Sequence, residues 1–116
     1  MVNLKSLIFG LLLFMVAHIV TWFQLNGQFF SSWFKNNNFI LVLFGIPISY
    51  AFIYATKYIV ESFDGMLWPG RFIGFAIGIC TFAFLTNQFM GEGINTKTLV
   101  SLILALLLVS VQMFWK

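Results

Sequence analysis

Four long runs almost empty of charge limit what this chain can become. They cover residues 6–24, 39–58, 70–89 and 98–115, and Lys57 and Arg71 are the only Lys, Arg, Asp or Glu inside them. A hydrocarbon core about 30 Å thick is crossed by about 20 apolar residues in helical conformation. Within lipid, only helices and closed barrels satisfy their own backbone groups. The runs are continuous and lack period-two alternation, which predicts helices rather than strands. The expected fold is an all-α membrane protein: one domain over residues 1–116, four transmembrane helices in one compact bundle, and short loops. Composition agrees. Only 8% of the residues are charged, against roughly 25% in soluble domains. A soluble core built from 116 residues has too little interior to hide so much apolar surface.

Several function classes lose support at once. The net charge of +3 comes from scattered single residues, without the basic stripe of a nucleic-acid binder. One cysteine, Cys80, and one histidine, His18, form neither an internal disulfide nor a closed zinc site. No Gly-rich phosphate loop follows a strand pattern. No nucleophile–base pair sits at workable spacing, so an enzyme is not expected. No metal and no cofactor are expected either. Lys5 and the apolar run after it resemble a signal sequence, but no small-x-small cleavage site follows, and the segment reads as a retained first span.

The connections fit this division. "LNGQFFSSWFKNNN" carries Asn and Gly breakers. "ESFDGMLWP" holds a turn at Asp64-Gly65. "MGEGINTK" leads to Asn95 or Thr96 as N-cap of the last helix, and Pro69 suits the first turn of the third. Lys5, Lys57, Arg71 and Lys116 fall on one side, Lys35 and Lys97 on the other. The positive-inside rule then favours cytoplasmic termini, and the membrane expected is a bacterial-type inner one. A bias of four against two also permits insertion both ways. Trp22, Trp33, Trp68 and Trp115 lie near span ends and are expected to anchor at the interface. The aromatic first loop is expected to lie flat at the headgroups.

Gly70, Gly74 and Gly78 recur every fourth residue of the third span. In lipid, helices associate through close backbone approach rather than hydrophobic drive, so this row is expected to be a packing face. It serves either the bundle itself or a homo-oligomer. Pro47 predicts a kink in the second span. Tyr50, Tyr54 and Tyr58 share one face of that span, for local packing or for a polar path.

"FMGEGINTKTLVSLILALLLVSVQMFW", with the turn Met90-Gly91-Glu92-Gly93-Ile94-Asn95, resembles the last two helices of small drug/metabolite transporters. Trp68 with Gly70 two positions on is similar to the opening of the third helix in the small multidrug resistance family. The resemblance covers about half of the 116 residues, and it implies a four-helix transporter subunit; because one bundle so rich in Phe and Leu leaves little room for a solute path, transport is expected to need at least a dimer. That family works through a glutamate in its first helix, preceded by alanine. Here Ala17 is followed by His18, and Glu61, Asp64 and Glu92 all lie in loops or at span ends. Exchange through an embedded carboxylate is therefore not implied.

His18 stands thirteen residues after Lys5, about 20 Å into the membrane at 1.5 Å per residue. Ionisable groups at that depth face a bundle interior or water. Thr21 and Trp22 are one turn on. The expected solute-contacting set is His18, Thr21, Trp22, Tyr50, Tyr54 and Asn87. Equally, His18 is read as a neutral imidazole hydrogen-bonded to Thr21, a helix-2 tyrosine, Asn87 or a backbone carbonyl. With no acid beside it, the ring suits an anion or polar solute and holds a cation poorly. Two functions follow. One is a small transporter subunit for an organic solute, dimeric and permitted to be antiparallel, with the lipid bilayer as its other partner. The alternative is a non-transporting scaffold or assembly subunit.

Overall fold

Asn3 starts the first helix by accepting a hydrogen bond from Ser6 N at 3.3 Å through its side-chain oxygen, which satisfies one of the free N–H groups of the first turn. In the computed structural model, which describes residues 3–115, the chain forms α1 (Leu4–Asn26), a 3-10 turn (Gly27–Phe29), α2 (Ser32–Asn36), α3 (Asn38–Leu43), α4 (Gly45–Ser62), α5 (Trp68–Met90) and α6 (Thr96–Phe114). Four helical stretches are long and apolar enough to cross a membrane: Leu4–Phe29, Asn38–Ser62, Trp68–Met90 and Thr96–Phe114. Each begins one or two residues earlier than the hydropathy runs, because polar caps and first turns belong to the helix but not to the apolar run. Lys116, used above for orientation, lies outside the described residues.

Local chemistry explains the joints. The second span is broken at Phe44 into α3 and α4. Pro47 has no N–H, so the Leu43 carbonyl loses its helical partner. The ladder resumes where Ile48 N donates to Phe44 O at 3.1 Å. Gln24 of α1 reaches the same place, its Nε2 donating to Leu41 O at 2.8 Å. Asp64 and Gly65 both adopt positive φ, 57° and 88°, and reverse the chain tightly between α4 and α5. Pro69 occupies the first turn of α5. Asn95 caps α6, its side-chain oxygen accepting from Thr98 N at 2.8 Å.

The helices alternate in direction. Asn3 N donates to Ser62 O at 3.3 Å at one end of the α1–α4 pair, and Gln24 meets Leu41 at the other. α5 runs back beside α1, and α6 packs on α5. Phe14, Ala55, Ile59 and Ile73 form the core, with Met113 of α6 reaching it from the side. α1 and α4 approach closely at Gly10. A Cβ there would stand 2.6 Å from the Ile59 side chain and 3.1 Å from the Ile59 backbone nitrogen.

The connections 63–67 and 91–95 are short, as expected, but the helices do not close into a compact bundle. The molecule measures 48 × 36 × 17 Å, a thin slab. None of the described residues of α6 is buried. A helix as apolar as α6 would find apolar surroundings in lipid, and nothing would then drive the other helices to enclose it. The first connection is structured as well, since it contains the 3-10 turn and α2.

Candidate functional site

The glycine row shapes the main cleft. On α5, Gly70, Gly74 and Gly78 carry no side chains, and larger groups from α1 and α4 lie over them. Ile59 sits against Gly70, Phe14 against Gly74 and His18 against Gly78. The row therefore packs within one chain. At Gly74 a Cβ would lie 3.4 Å from the Phe14 ring, ordinary contact, so alanine fits where leucine does not. At Gly78 it would lie 2.8 Å from His18 Cε1, so the imidazole occupies space that only glycine leaves free.

Beside this row runs a cleft of about 770 Å³ between α1, α4 and α5. That lies within the range of small-molecule sites, about 300–1,000 Å³. Leu67 and Arg71 mark its end near the α4–α5 turn, and Leu25 and Asn26 mark its end near the first connection. Phe14 to Asn26 along α1 corresponds to about 18 Å at 1.5 Å per residue, so the cleft follows much of the helix length. Most of its wall is aromatic or aliphatic, including Phe52, Phe75 and Phe82.

His18 lines the cleft and is half-buried. Its ring meets Phe52 edge-on at 5.1 Å between centroids and stacks on Phe14 at 6.2 Å. Thr21 is another lining residue, and its Oγ1 is buried without a hydrogen-bond partner. Leaving such a hydroxyl unpaired costs about 1–3 kcal/mol.

Trp22 does not anchor at an interface. It is 4% exposed, and its Nε1 donates to Thr86 Oγ1 at 3.1 Å. An indole N–H removed from water needs an acceptor, and Thr86 on the facing turn of α5 supplies it. Around Trp22 the rings of Phe23, Phe30 and Phe89 form a cap, with centroids 5.2 to 5.9 Å from the indole. The first connection thus folds back in part over the helix ends, while Phe29 and Trp33 remain exposed.

Of the six residues expected around a solute, His18, Thr21 and Trp22 come together in the cleft. Tyr50 and Tyr54 do not join them, being 60% and 47% exposed. α4 turns Ala55 and Ile59 towards α1 instead, because the tight contact at Gly10 admits that face and not a row of phenols. Asn87 is also exposed, its Oδ1 near Gly93 in the third connection. The Trp22–Thr86 bond faces Thr86 inward and leaves its neighbour outside. Phe52, Thr56, Arg71 and Phe75 line the cleft without having been expected. Arg71, Phe75 and Ile79 share the four-residue spacing of the glycine row one position on, and that was the legible signal. Thr86 carried none.

Compared with protein-family models, with curated proteins and with solved structures, the chain has no significant match. What stands is a class: an all-helical chain with four membrane-span-length apolar helices and one roomy, largely apolar cleft.

Proposed function

We propose that the chain is a multi-pass membrane transporter subunit that binds a small organic solute in the cleft between α1, α4 and α5. The observation that carries this reading is the cleft itself. It is large enough for a solute, it follows the helices from Arg71 to Asn26, and it brings His18 and Thr21 together. The resemblance of residues 89–115 to small drug/metabolite transporters adds to it. Both termini lie in the cytoplasm in this reading, and the unburied α6 gives a second copy a face on which to dimerise. A solute-dependent thermal shift in detergent tests the proposal, since a ligand stabilises the folded state by mass action. The panel comprises organic anions, organic cations and small neutral metabolites. A specific solute should raise the melting temperature, and His18→Ala should weaken that shift while the unliganded protein still melts cooperatively.

The same bare α6 favours a second reading, a scaffold that docks another membrane protein. In that case no solute shifts the melting temperature, and polar substitutions on α6 abolish co-isolation of the partner.

A further inference from the structure

We infer that the solute is an amphipathic anion with a single apolar chain, its acidic group held by Arg71 and its chain laid along Phe14, Phe52, Phe75 and Phe82. This rests on the solute-binding reading above and names the chemistry of what binds.

Charge selects the sign. Among the described residues lining the cleft, the guanidinium of Arg71 is the only formal charge, and no Asp or Glu lines it. A cation would meet repulsion at that end and no acid along the way. An arginine fork matches a carboxylate through two parallel N–H···O bonds, a geometry that a point charge does not offer. Arg71 also sits one turn into α5, close to the Asp64-Gly65 reversal. An acidic group bound there stays near the membrane surface, where its remaining oxygens keep water.

Shape selects the rest. Beyond Arg71 the wall is mostly rings and aliphatic groups. The cleft extends about 18 Å along α1 at 1.5 Å per residue. Phe75 and Phe82 are exposed on the open side, so an apolar chain enters sideways from the bilayer without crossing a polar rim. A volume of about 770 Å³ has room for such a chain and its acidic group.

The test uses the full protein in phosphatidylcholine nanodiscs with three probes of equal chain length: dodecanoate, dodecanol and dodecyltrimethylammonium. Dodecanoate should bind tightest and raise the melting temperature most, with dodecanol weaker and the cation weakest. Arg71→Gln should weaken dodecanoate by about ten- to a hundredfold, the loss of a hydrogen bond to a charged group, and leave dodecanol unchanged. Phe75→Ala should weaken both. Arg71 is exposed, and the melting temperature of the unliganded variant checks its fold. Equal affinity of wild type and Arg71→Gln for dodecanoate, or tighter binding of the cation, overturns the anion assignment and leaves the solute-binding reading standing. If phosphatidylglycerol in the disc displaces dodecanoate and Arg71→Gln abolishes the competition, the single-chain assignment falls to a membrane lipid. If neither these probes nor any member of the wider solute panel binds, both readings fail together.

Discussion

α1 and α6 are both apolar helices of span length, yet the molecule uses them in opposite ways. α1 buries Ser6, Gly10, Phe14, Ala17 and Trp22 and touches both α4 and α5. α6 buries none of its described residues. The difference lies in small residues and in polar groups that need a partner. Gly10 lets α4 approach almost to backbone contact, and Trp22 brings an N–H that α5 must satisfy. α6 offers aliphatic bulk, and its serines turn back on their own helix: Ser101 Oγ donates to Lys97 O at 3.0 Å and Ser110 Oγ to Leu106 O at 2.8 Å. Apolar character brings a helix into lipid, while small residues and unmet polar groups decide what it packs against.

The hardest blow to this contrast is Gly10→Val. Its side chain would overlap Ile59 and press on the α4 backbone, so the variant should lose about 3 kcal/mol or fail to fold. Unfolding in mixed micelles measures it, and an unchanged midpoint would mean that α1 and α4 do not meet as described.

Gly78→Ala should cost less, about 1–2 kcal/mol, because the imidazole has some room to shift. Adding His18→Ala should recover part of the loss. A double-mutant cycle without coupling would remove the His18–Gly78 contact from the account.

For Trp22→Phe the expected loss is about 1 kcal/mol, a buried hydrogen bond left unmade. Thr86→Val should lose a similar amount, and the pair together less than the sum.

Smallest is Leu107→Ala on exposed α6. It should stay within about 0.5 kcal/mol, as surface changes do. A larger loss that scales with protein concentration would instead show α6 covered by a second copy.

Much of the chain is decided by the sequence alone. The four span-length helices follow from the runs almost empty of charge, the break before α4 from Pro47, the reversal from Asp64-Gly65, and the start of α6 from the Asn95-Thr96 pair, of which the structure uses Asn95 as the cap. Each depends on solvation or on a few neighbouring residues, which a linear reading contains. The glycine row was likewise visible as a packing face. Only the tertiary structure decided that it receives Ile59, Phe14 and His18 of the same chain, that α4 turns Tyr50 and Tyr54 outward, that Trp22 bonds Thr86, and that Arg71 lines the cleft. The reason is physical. In a soluble helix the polar side marks the outside, but these helices are apolar nearly all round, so hydropathy does not say which face looks inward. That choice falls to shape, to where a glycine leaves room and a ring can fill it, and shape is settled only when the helices meet.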